Sequence, residues 1–185
     1  MPAWQTLKIF MVNVLINSLV ALLIGGATLS FSFEAGSAGV AGLSAASGKS
    51  GKNGTSSVQY EAQGTIVSLD DKYRMETVDA LVLSDGEVMC IYQKAIDEVV
   101  LQDVSAGAAG IANPFALLTG SDSNYAVTAS EADAQGIPRK IVLKAKSGAK
   151  YTIRIKDYKK LPQTDPQQFV FRAEDFPTAV VTDMR

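Results

Sequence analysis

From residue 58 to residue 182 the sequence repeats one pattern: short runs of alternating apolar and polar residues, each closed by small or turn-forming residues. Period-two alternation belongs to strands with one face buried, so the chain is committed to a β architecture. Residues 58–69 turn at Asp70-Asp71 into 72–78. Residues 80–83 end at Ser84-Asp85-Gly86, and Asp-Gly is a strong hairpin signal. Residues 87–93 and 98–104 form a hairpin pattern around 94–97. Residues 125–129 follow, then 139–146 and 150–158 around Ser147-Gly148, and last 169–172 and 179–182. Ahead of the series, residues 27–35 alternate Leu29, Phe31 and Phe33 as a further strand. About ten to eleven strands are expected, in a single curved antiparallel sheet or unclosed β-barrel. A chain of 185 residues makes this one domain, 1–185.

Three segments break the pattern. Residues 9–24 are the most apolar, and Val12, Leu15, Ile16, Leu19, Leu22 and Leu23 fall on one helical stripe before Gly25-Gly26. The run fits a helix docked on the domain, the apolar core of an export signal, or a short membrane span interrupted by Asn13, Asn17 and Ser18. Residues 36–57 are Gly/Ser-rich and read as a flexible loop. Residues 105–120 hold Asn113-Pro114-Phe115-Ala116-Leu117-Leu118, a short helical insert with Pro114 at its first position. The expected fold is therefore mainly β with α, its sheet covered by an N-terminal helix over 8–24 and a mid-chain helical insert.

The side chains present exclude much chemistry. The chain has no histidine and one cysteine, Cys90. Ser-His-Asp and Cys-His catalysis, histidine-containing metal sites and intramolecular disulfides are ruled out. The adjacent carboxylates Asp70-Asp71, Asp97-Glu98 and Glu174-Asp175 sit at turns, where neighbours point apart. Neither a cofactor nor an enzymatic activity is expected. The net charge of −2 argues against nucleic acid as a partner. Charge is nonetheless segregated: residues 139–160 carry Arg139, Lys140, Lys144, Lys146, Lys150, Arg154, Lys156, Lys159 and Lys160 against Asp157 alone. This is either the solvated side of a hairpin or a basic patch facing an acidic partner or an anionic membrane.

Ten strands have more apolar surface than two short helices can cover. The alternating sets are Phe31 and Phe33; Tyr73 and Met75; Leu81 and Leu83; Met89 and Ile91; Ile153 with Tyr151 and Ile155; Phe169 and Phe171. Each alone is a core pair; together they leave room for an apolar ligand.

In order along the chain stand the amphipathic helix at 12–24, Gly25-Gly26, Ser30-Phe31-Ser32-Phe33, Gly64-Thr65-Ile66, Lys72-Tyr73-Arg74-Met75, residues 84–92 (SDGEVMCIY) and Asn113–Leu118. The chain closes with Phe169-Val170-Phe171, Phe176-Pro177 and Val180-Val181-Thr182-Asp183-Met184-Arg185. Across residues 10–185 this series resembles the LolA-type periplasmic carriers of outer-membrane lipoproteins, in the version found in Bacteroidetes-type bacteria. The family's Arg-Pro lid latch has no counterpart, because Leu69-Asp70-Asp71 stands there.

The resemblance implies an unclosed barrel with helices as a lid over an apolar cavity. The first helix then matches the lid, and the same segment could serve as the export signal. Implied cavity residues are Leu15, Leu19, Phe31, Phe33, Tyr73, Met75, Leu81, Leu83, Met89, Ile91, Phe115, Leu118, Ile153, Phe169 and Phe171. The resemblance further implies a monomer in the periplasm. It would take acylated lipoproteins from an inner-membrane lipoprotein-releasing transporter and pass them to an outer-membrane acceptor. The alternative is a lipid-, glycolipid- or envelope-stress-sensing module on the same fold.

Overall fold

The computed structural model describes residues 25–36, 58–104, 125–146, 148–161 and 163–185. Ten strands occur: β1 (Ala27–Gly36), β2 (Val58–Leu69), β3 (Lys72–Thr77), β4 (Ala80–Ser84), β5 (Val88–Gln93), β6 (Glu98–Asp103), β7 (Tyr125–Ala132), β8 (Pro138–Ala145), β9 (Lys150–Lys160) and β10 (Val180–Asp183). They form one unclosed sheet in the order β10-β6-β5-β4-β3-β2-β1-β9-β8-β7, with β10 and β7 at its edges. The strands expected from alternation all occur within a few residues of their limits, except that at 169–172.

The pairing of the last strand overturns the expected fold class. The sheet is mixed rather than antiparallel, because β10 pairs parallel with β6, Val180 opposite Glu98 and Asp183 opposite Leu101. The described residues also contain no α-helix, only short 3-10 turns. The stretch expected as the strand at 169–172 instead links two of these turns, η1 (Pro166–Phe169), which Phe169 ends, and η2 (Ala173–Asp175). Asp165 caps η1 by accepting the Gln167 amide, and Pro166 sits at its start, which together favour a turn over a strand. The helices expected at 8–24 and 113–118 lie outside the described residues, as does the loop at 37–57.

The chain divides into two compact units. The first holds β7, β8, β9 to Lys156 and β1 from Phe31. Its β9 alternates cleanly, with Tyr151, Ile153 and Ile155 buried and Lys150, Arg154 and Lys156 exposed. Ile153 lies opposite Ile141 and Tyr151 opposite Leu143, both buried. Phe33 stacks on Tyr151 with ring centroids 5.6 Å apart, extending that apolar layer onto β1. On the reverse side Glu34 reaches Arg154 at 3.5 Å.

The second unit holds β3 to β6, β10, the later part of β2 and the first residues of β1. The two-residue turn Asp70-Asp71 fixes the β2–β3 register, and Asp70 takes a positive φ of 55° there. At the next hairpin the Asp85 carboxylate accepts the Glu87 and Val88 amides at 3.0 and 2.8 Å, and Gly86 supplies a φ of 95°. At the start of the unit Gly26 has a φ of 89°, and a Cβ there would lie 2.3 Å from the Leu161 carbonyl oxygen, so only glycine fits.

Candidate functional site

Register decides which side chains of the second unit share a face, because directly paired residues point the same way. One row runs Ile66–Met75–Val82–Ile91–Val100 across β2 to β6. A second row on the same face runs Ser68–Tyr73–Ser84–Met89. The first row is apolar at every strand. At about 4.8 Å per strand its five side chains extend over about 19 Å. Ile66, Met75 and Val82 are buried, whereas Ile91 and Val100 are half-buried. The second row supplies the polar atoms: the Tyr73 hydroxyl donates to the Met89 sulfur at 3.3 Å, and the Ser68 hydroxyl donates to the Ala27 carbonyl at 3.4 Å. Burial pushes the Tyr73 phenol well above its ordinary range, so it stays a neutral donor.

The opposite face of the same strands is a packed core. Leu81, Leu83, Cys90, Val99 and Leu101 form it, with Tyr92, Phe171, Phe176 and Ala179 laid over them. Tyr92 and Phe176 meet edge to face at 4.9 Å, and Phe171 stacks on Phe176 at 5.5 Å. The chain after η1 thus crosses this face and ends as β10 beside β6. On the β3 part of the same face Glu76 accepts from Lys94 and Arg74 at 3.2 and 3.1 Å, which holds its carboxyl below the usual range.

These placements sort the residues that the sequence grouped together. Tyr73, Met75, Met89 and Ile91 share one face of the second unit. Leu81, Leu83 and Phe171 belong to the opposite, packed face. Phe169 is 1% exposed in η1, which lies against β3 and β4. Phe31, Phe33 and Ile153 are buried in the first unit. Leu15, Leu19, Phe115 and Leu118 lie outside the described residues. Ile66, Val82 and Val100 were missed. Ile66 was legible: a two-residue turn after Leu69 pairs Leu69 with Lys72 and, by counting back, Ile66 with Met75. Val82 sits in an unbroken apolar run, where alternation carries no signal.

No protein-family model and no curated protein matches the chain. Among solved structures, an uncharacterised conserved protein from Thermus thermophilus is similar over 93% of this chain and 98% of that one, at 8% identity and a TM-score of 0.53. The two share a fold. A LolA superfamily protein from Nitrosomonas europaea is similar over 85% of this chain and 96% of that one, at 8% identity and a TM-score of 0.45.

Among the described residues no group of three or more histidine, cysteine or acidic side chains is placed to hold a metal. Cys90 is 1% exposed, and burial pushes its thiol up to about 12. The thiolate is the reactive form, so Cys90 is a packing residue. Native protein is expected to resist iodoacetamide at pH 8 over hours, while protein unfolded in guanidinium reacts stoichiometrically. Fast alkylation without denaturant would contradict this packing.

Proposed function

We propose that this chain is a non-enzymatic carrier that takes up the acyl chains of lipoproteins along the Ile66–Met75–Val82–Ile91–Val100 row. The observation that carries this reading is the row itself. It crosses five strands without a polar interruption, on the face opposite the packed cluster of Leu81, Leu83, Cys90, Val99 and Leu101. Its length matches an extended long acyl chain, and the two methionines of that face are flexible enough to follow one. Each methylene moved from water to such a surface contributes about 0.8 kcal/mol. Exchange between carrier and membrane then needs only small differences, since both ends are apolar. The series of segments resembling the LolA-type carriers supports a periplasmic site of action. It also supports an inner-membrane transporter as donor and an outer-membrane acceptor, with the chain acting as a monomer.

Ile91 is the residue to test, because it is half-buried within the row. Ile91→Asp is expected to keep the wild-type melting curve within a few degrees. It should weaken binding of a triacylated lipopeptide and of an apolar fluorescent probe about tenfold or more. Val78→Asp, at a side chain 83% exposed, should change neither. A folded Ile91→Asp with wild-type lipopeptide affinity would remove the row from the binding site. Binding of free lipid without lipopeptide would favour the lipid-sensing alternative.

A further inference from the structure

The β8–β9 hairpin carries a charge arrangement that folding opposes. Lys144 and Lys150 are direct cross-strand partners, so two ammonium groups face each other on one side of the hairpin. Like charges in that position destabilise a sheet. The next charged pair on this side, Lys140 with Arg154, is neutralised by Glu131 at 2.7 Å and Glu34 at 3.5 Å. At the tip no such compensation is found among the described residues. Lys144, Lys146 and Lys150 are all exposed and make no ion pair or hydrogen bond among the described residues. The turn between them is tight: the Gly148 amide donates to the Ala145 carbonyl at 2.9 Å and Gly148 has a φ of 90°. Three cations are thereby gathered at one end of a chain whose net charge is −2.

We propose that this hairpin tip docks on an anionic phospholipid bilayer. The chemistry favours lipid over an acidic protein. Protein interfaces are poor in lysine and are anchored by aromatic or apolar side chains. The large apolar side chains most exposed among the described residues, Val78, Ile96, Val180, Val181 and Met184, all lie on other elements. Lysine is a compact charge on a flexible stem, suited to mobile phosphates rather than to one fixed carboxylate geometry. A basic cluster gains about 1 kcal/mol per lysine near an anionic membrane surface. This docking does not depend on the acyl-chain row, which belongs to the other unit.

The test is flotation of the full chain with large unilamellar vesicles of phosphatidylcholine alone or with 30% phosphatidylglycerol as the probe composition (about the anionic content needed for a strong surface potential). Wild type should bind only the anionic vesicles. Binding should fall steeply between 0.1 and 1 M salt, as the screening length shrinks from about 10 to about 3 Å. The Lys144→Gln, Lys146→Gln, Lys150→Gln triple should lose partitioning on the order of a hundredfold. Lys159→Gln, at an exposed lysine away from the tip, should lose far less. Lys150→Glu turns the repelling pair into an attracting one. It should raise the melting temperature by about 1–4 °C while abolishing vesicle binding. Equal binding to both vesicle types, a triple variant that still floats, or an anionic protein captured in place of vesicles would each overturn the proposal. Lipopeptide affinity of the triple variant should be unchanged, which separates this surface from the carrier site.

Discussion

Phe169→Ala is expected to lower the unfolding free energy by about 3–5 kcal/mol, the range for losing a fully buried aromatic ring. Phe169 is the only buried residue of η1, and four residues of 3-10 helix have little stability of their own. The turn is held from outside. Asp165 accepts the Gln167 amide at 2.9 Å, the Val170 amide donates to the Gln167 carbonyl at 3.3 Å, and the ring anchors the segment against β3 and β4. Removing the ring leaves a void that rigid strands cannot close. The chain beyond η1 supplies Phe171, Phe176 and Ala179 to the packed face and then forms β10, so the anchor also sets where that cover starts. Phe171→Ala should cost less, because Phe171 remains half-buried. Urea unfolding monitored by circular dichroism measures both. A loss below about 1 kcal/mol for Phe169→Ala would mean that the ring fills no essential space.

What the sequence made legible and what it hid have separate physical causes. Strand positions follow from local alternation and turn chemistry, and Asp70-Asp71, Ser84-Asp85-Gly86 and Gly148 all stand at the hairpins they promised. Partner choice is not local. The parallel pairing of β10 with β6 depends on the ten residues after η1 that cross the packed face, and alternation in Val180–Asp183 is the same whichever edge receives it. Phe169 and Phe171 show the opposite failure. Their spacing of two imitates a strand, but Asp165-Pro166 just before them is a turn-starting pair and prevails. The candidate site was half legible for a related reason. Tyr73 with Met75 and Met89 with Ile91 alternate and fall on one face. Residues 80–83 are apolar throughout, so Leu81 and Leu83 were grouped with them although register turns both to the other side.

Cys90→Asp should destabilise the fold by about 3–5 kcal/mol at pH 7, while Ile91→Asp, its immediate neighbour, should cost under about 1.5 kcal/mol and lose ligand instead. The two residues share strand β5 and point to opposite faces, so backbone and strand propensity are held constant. Cys90 lies between Leu83 and Leu101 in the packed cluster, and the environment that pushes its thiol up to about 12 already disfavours a negative charge. A carboxyl there has a folded-state pKa above its unfolded value of about 3.9. Below that value both states are protonated and the charge penalty is absent. As pH rises the unfolded chain ionises first and stability falls, until the folded carboxyl also ionises. Cys90→Asp should therefore recover part of its loss at pH 4, whereas Cys90→Asn, polar but uncharged, should show no such added pH dependence. Denaturant midpoints of the three variants between pH 4 and 8, with lipopeptide titrations on the same samples, separate a packed face from a binding face. A Cys90→Asp variant as stable as Ile91→Asp at pH 7 would mean that water reaches both sides of β5, and the assignment of one face to structure and the other to ligand would fail.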